Sequence, residues 1–134
     1  MKSVSIGKQE RTFALTDRLI EVSVTVIQIV ESLPDNRLGS HVGAQLLRSG
    51  SSPAPNYAEA LSAESRRDFI HKLGIALKEL REAHVWLEII RRKHLSSERD
   101  PLNGSLKECN ELISILVTSI KTAKKNLEKE RRCE

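Results

Sequence analysis

The sequence predicts an all-α protein, an up-and-down antiparallel four-helix bundle with its second helix kinked at Pro53 and Pro55, and three observations predict it. Apolar residues recur at alternating spacings of three and four along extended segments, the mark of helices that turn one stripe toward partner helices. Aromatic residues make up only 3% of the chain, so the core must be built from Leu, Ile, Val and Ala, as in helical bundles. Turn-forming and polar residues separate the periodic segments, notably Pro34-Asp35-Asn36 and the connection from Ser96 to Pro101. With 134 residues the chain can bury a core of its own, and it is read as one domain with residues 1–11 and 129–134 as frayed tails.

The first helix is expected over residues 12–33, where Leu15, Leu19, Val22, Val26, Ile29 and Leu33 form the stripe. Ile20, Val22, Val24 and Val26 also alternate as in a strand, but the heptad-like run covers more of the segment and is too long for a typical strand. The third helix has Ser65 with Asp68 as a variant capping box, then Phe69, Leu73, Ala76, Leu80, Ala83, Leu87 and Ile90, and ends near His94. The fourth carries Leu106, Cys109, Ile113, Leu116, Ile120, Ala123 and Leu127, with Asn103 as its expected N-cap.

The second helix must lie between Gly39 and Leu61, and its middle, Ser49 to Pro55, holds three serines, a glycine and two prolines. A helical period survives through this stretch, so one bent helix or two short ones meeting at the prolines is expected. The small residues would let another backbone approach closely, and serine hydroxyls can meet the carbonyls near the prolines.

The charge is mildly basic, with a net +4 and a pI near 9.3, which admits nucleic acid as a partner and equally describes an ordinary solvated surface. Cationic residues gather at two helix ends. Arg91, Arg92 and Lys93 close the third helix, and Lys121, Lys124, Lys125, Lys129, Arg131 and Arg132 close the fourth. Such rims can bind phosphates, or can simply complement the helix dipoles. Aromatics interleave them too sparsely for base stacking, and Tyr57 and Trp86 are expected at helix or subunit contacts.

Arg48, Asn56 and Glu59 form a candidate polar constellation, in which Glu59 would pair with Arg48 from the preceding turns or from a neighbouring subunit, as a ligand or interface site or, more simply, as a lock on the proline kink. Arg66 and His71 match the loose Arg-x4-His pattern of some helical ribonucleases, a spacing common by chance. No Gly-rich phosphate loop, HExxH or nucleophile elbow appears, and no enzyme activity or cofactor is expected. Cys109 and Cys133 form no CxxC and stand near no His pair, which argues against a disulfide framework or a metal site and fits a reducing cytoplasm. Cys109 lies on the apolar stripe and reads as a core residue. No signal sequence or membrane-length apolar run is present, so a cytoplasmic protein without membrane contact is expected.

The run QLLRSGSSPAPNYAEA, followed by SRRDFIHKLGIALKELREAHVWLEII, resembles the bacterial four-helix-bundle family first noticed as proteins encoded in intervening sequences of 23S rRNA genes, with its pattern QLRRAAxSIPSNIAEG and a GIALxSLxELExxL helix. The likeness is carried by Gln45, Leu46, Arg48, Ser52, Pro53, Asn56, Ala58, Glu59, Ser65, Phe69, Leu73, Ala76, Leu77, Leu80, Glu82 and Leu87. Ala60 stands where the family has glycine, His84 where it has a second glutamate, and Pro55 where it tends to have serine. The resemblance implies a homo-oligomeric ring, a pentamer first of all, with Arg48, Pro53, Asn56, Glu59 and Glu82 at structural or interface positions. It also implies kinship with the accessory proteins of diversity-generating reverse transcriptases, which bind nucleic acid and the enzyme. A nucleic-acid-associated bundle acting through its basic rims is the function expected, with a protein-docking scaffold as the first alternative and an Arg-x4-His ribonuclease as the last.

Overall fold

The computed structural model describes the backbone of residues 2–133 and the side chains of residues 14–133, and among these it contains helices and no strand. The helices are α1 (Lys2–Glu31), α2 (Arg37–Ser51), α3 (Pro53–Leu61), α4 (Arg66–Lys93) and α5 (Arg99–Arg132). Helical backbone therefore includes 2–11 and 129–132, the stretches read from sequence as frayed tails.

Cross-links between side chains fix the relative directions. On α1 and α5, Arg18 meets Glu108 while Gln28 meets Glu98, and on α2 and α4, Arg48 meets Glu79 while His41 meets Trp86. As one member of each pair advances the other retreats, so both helix pairs are antiparallel. The stripes face inward together. Leu19, Val22, Val26 and Ile29 of α1, Leu46 of α2, and Leu73, Leu80, Leu87 and Ile90 of α4 are all at most 3% exposed. On α5 the buried line passes through Leu112 as well as Leu106, Cys109 and Leu116, with Ile113 only partly buried. A straight helix of 3.6 residues per turn drifts off a strict heptad, and the stripe shifts by one position accordingly.

Two helix starts follow the sequence rules: the Ser65 hydroxyl accepts from the Asp68 N–H at 3.0 Å, and the Asn36 side chain accepts from the Gly39 N–H at 2.9 Å. The start of α5 does not. It begins at Arg99, and Asn103 lies inside the helix and not at its N-cap. Pro101 sits in the first turn, where a missing N–H costs nothing, so the proline that looked like part of the connection opens the helix. At the end of α4, His94 takes a left-handed conformation with φ 54°, and the Leu95 N–H returns to the Ile90 carbonyl at 3.1 Å, closing the helix in the six-to-one pattern usually served by glycine.

The proline stretch resolves into two helices meeting at Ser52, whose backbone stays in the right-handed helical region. Pro53 opens α3 in the first turn, where its ring is tolerated. Gly50 explains the small residues: a Cβ there would lie 2.8 Å from both γ-methyls of Val26, so α1 and α2 touch backbone to side chain at that point. Carbonyls around the break find side-chain donors. The Ser23 hydroxyl donates to Gly50 O at 3.0 Å, the Ser49 hydroxyl to Gln45 O at 2.9 Å, and Asn56 Nδ2 to both Ser52 O at 2.9 Å and Ser52 Oγ at 2.8 Å.

Candidate nucleic-acid interface

The cations predicted to form rims lie at opposite poles. Arg91, Arg92 and Lys93 end α4, whereas the distal end of α5 lies beside the start of α4, where Arg66 bonds Glu130 at 2.8 Å. With the 28 residues of α4 between them, the poles stand about 40 Å apart. One protomer therefore presents two separate surfaces.

They differ in chemistry. Arg91 and Arg92 both turn back on Glu88, the latter at 2.9 Å, and these hydrogen bonds hold the Glu88 carboxyl down to about 2. Much of the positive charge at that pole is thus already neutralised. On α5, Lys121, Lys124, Lys125, Lys129 and Arg131 are exposed and make no ion pair among the described residues, while Arg132 pairs with Glu128 at 2.8 Å. Lys121, Lys124, Lys125 and Arg132 recur at spacings that keep them on one side of the helix, giving a cation stripe three turns long.

The segment 121–132 that carries this stripe accounts for the net charge of the whole chain. Six of the 22 Lys and Arg and two of the 18 Asp and Glu fall within 121–132, which leaves sixteen of each sign everywhere else.

The polar constellation of α2 and α3 is not the one expected. Within the chain Glu59 does not pair with Arg48; it bonds Lys72 of α4 at 3.0 Å, a contact that raises the lysine pKa. Arg48 bonds Glu79 of α4 at 2.9 Å and also Glu82, which in turn accepts from Trp86 Nε1 at 3.4 Å. Eleven residues of helix separate Arg48 from Glu59 by about 16 Å, beyond the reach of their side chains, and α4 supplies a partner to each. Of the three, Asn56 is the one that bonds the proline break, through Ser52. His71 is exposed, and Arg66 is engaged by Glu130, so the Arg-x4-His pair gains no supporting neighbour.

Cys109 is fully buried and its thiol is pushed up to about 12, chiefly by burial, as fits a core residue. Among the described residues no group of His, Cys, Asp and Glu is arranged to hold a metal ion, and no helix is long and apolar enough to cross a membrane. Sequence reasoning missed the bridge from Arg18 to Glu108, at 2.7 and 2.9 Å, with Glu111 at 3.1 Å, which staples α1 to α5. Its partners are some ninety residues apart, and no local spacing announces them.

The family model for the 23S rRNA-intervening sequence protein matches residues 11–119. The chain belongs to that family. A solved structure from the S23 ribosomal protein family, a protein of unknown function from Bacteroides thetaiotaomicron, is 33% identical with a TM-score of 0.72, covering 80% of this chain and 98% of that one. Comparison with curated proteins gives no match. The family match ends at residue 119, so the cation stripe from Lys121 onward lies beyond the part this 23S rRNA-intervening sequence protein shares with the family model.

Proposed function

We propose that this protein is a non-enzymatic, homo-oligomeric bundle of the cytoplasm that binds RNA or DNA through the phosphate backbone, using the α5 stripe of Lys121, Lys124, Lys125, Lys129, Arg131 and Arg132. The observation that carries the reading is the concentration of the whole net charge in that one stripe, most of it without carboxylate partners. Clustered cations on a helix engage phosphates without reading sequence, and a ring of copies, five in the expected arrangement, multiplies the contact. Arg91, Arg92 and Lys93 form the lesser surface, since Glu88 already occupies two of them.

Self-association is supported by exposed apolar stripes. Ile20, Val24 and Ile27 line the outer side of α1 at 44–52% exposure, and Val85 and Ile89 do so on α4. These same stripes favour a second reading, a scaffold whose ring docks a protein while the basic charge plays no part.

Fluorescence anisotropy with generic structured RNA and duplex DNA, repeated across salt concentrations, separates the two. Binding should weaken linearly in log–log form with salt, and replacing Lys121, Lys124 and Lys125 together by Gln should reduce the slope by about 2–3. Binding that ignores the triple substitution, or none at low salt from an assembled oligomer, would leave the scaffold.

A further inference from the structure

Among the described residues α1 and α4 make no contact with each other, so they stand on a diagonal of the bundle. α2 runs against α1, with Gly43 beside Val30 and Gly50 beside Val26, just as it runs against α4, so α1 and α4 are parallel. Their outer faces look away from the molecule on opposite sides. Each leaves apolar side chains in solvent, Ile20, Val24 and Ile27 on α1 at 44–52% exposure and Val85 and Ile89 on α4 at 56% and 39%. Spacings of three and four set each group on one side of its helix.

The charges around the two faces are opposite in sign. Asp17, Glu21 and Glu31 border the α1 stripe, exposed and without an ion pair among the described residues. The one cation between them, Arg18, is bound to Glu108 and Glu111. Lys78, Arg81 and Lys93 border the α4 stripe, likewise exposed and unpaired among the described residues. Every carboxylate between Lys78 and Lys93 is already engaged, Glu79 and Glu82 by Arg48, and Glu88 by Arg91 and Arg92. An apolar stripe rimmed by unanswered carboxylates thus faces one way, and an apolar stripe rimmed by unanswered cations faces the other. The two complement each other, whereas either face against its own copy would bring like charges together.

Their heights along the bundle agree as well. The Ser32 and Ser96 hydroxyls meet at 2.6 Å, which puts the C-terminal ends of α1 and α4 at one level. Counted back from there, Ile27 and Ile89, Val24 and Val85, and Asp17 and Arg81 each fall within about one turn of each other. A neighbour related by rotation about an axis along the bundle keeps these levels.

Building on the self-association proposed above, we infer that the acidic α1 face of one copy docks head to tail on the basic α4 face of a second copy of this chain. Because the two faces differ, each copy keeps one face free for a further copy, so assembly closes as a ring or continues, and does not stop at a symmetric pair. The contact uses none of the residues of the α5 stripe.

Charge reversal tests this, read as mass by light scattering on the full-length protein at low salt, over a range of concentrations and without nucleic acid. Asp17→Lys with Glu21→Lys, or Lys78→Glu with Arg81→Glu, places like charges in the contact and should weaken assembly by about tenfold or more. All four substitutions in one chain put opposite signs together again and should return assembly to within about threefold of the wild type, because the two pairs are coupled across the contact. Recovery of this kind also excludes misfolding as the cause of the first two losses. If the four-substitution chain stays as dissociated as either pair, or if either pair leaves the mass unchanged, the α1–α4 contact is overturned while self-association stands. A wild type that remains a monomer at every concentration overturns the contact together with the self-association beneath it.

Discussion

The two sides of α1 meet their neighbours in opposite ways. Toward α2, the chain brings Gly50 so close to Val26 that a single added carbon would sit 2.8 Å from two methyl groups. Toward α5, Thr118, Ser119, Thr122 and Ala123 are nearly as small, yet the helices leave a groove of about 690 Å³ between them. Small residues allow close approach without enforcing it. On the α2 side, a buried valine, the Ser23 bond to the Gly50 carbonyl and the short turn between the helices draw the backbones together. On the α5 side, the contact is made by a long side chain, with Arg18 reaching across to Glu108 and Glu111.

The largest effect should come from enlarging the close side. Gly50→Val inserts a branched side chain against fully buried Val26, and overpacking of this kind costs about 2–3 kcal/mol. Urea unfolding at fixed protein concentration measures it, and combining it with Val26→Ala should restore at least about half the loss, because the two changes share one space. If Val26→Ala adds its own loss instead, close approach is not what Gly50 provides. Next in size is Asn56→Ala, which removes both bonds to Ser52 and should cost about 1 kcal/mol. Glu59→Gln, which breaks only an exposed contact to Lys72, should leave the unfolding midpoint unchanged. An equal loss from both would mean that the proline break is held by charge.

How far these differences could be read in advance depends on the range of the interaction. Stripe residues such as Leu19, Val26, Leu80 and Leu116 were legible, because a periodic pattern over several turns leaves only one inward face. The proline break was legible too, since Pro53 removes a donor wherever it stands, and the Ser65 cap follows from a three-residue spacing. Asn103 misled because a proline in a polar run reads equally as a loop or as the first turn of a helix, and only the packing of Leu102 decides. Arg48 and Glu59 misled for a different reason. On one helix they share a face, but α4 brings Glu79, Glu82 and Lys72 nearer than either is to the other. The groove gave no signal, because whether a serine faces a neighbouring helix or a void is a property of the interhelical distance.

The Arg18 staple sharpens the comparison through pH. Hydrogen bonding from Arg18 lowers the Glu108 pKa below its ordinary 4.5, so the folded state favours the ionised carboxylate. The unfolded chain binds that proton more readily, and the stabilisation is therefore full above about pH 5 and lost as pH falls through the lowered folded value. Arg18→Gln should cost about 1 kcal/mol near neutrality, after allowance for partial exposure, and the gap between variant and wild type should narrow as pH falls below the carboxylate's ordinary 4.5. A gap that stays constant with pH would assign the effect to the packing of the arginine stem.

The smallest of the expected shifts has the opposite sign, and it bears most directly on the contrast. Ser119→Leu makes the same kind of change as Gly50→Val, small to large, at a position that lines the groove. The added apolar burial should stabilise by about 0.5–1 kcal/mol and raise the midpoint of urea unfolding. Destabilisation by Ser119→Leu would show that the groove is already filled in solution. The two faces of the helix would then differ in the source of their packing and not in its presence.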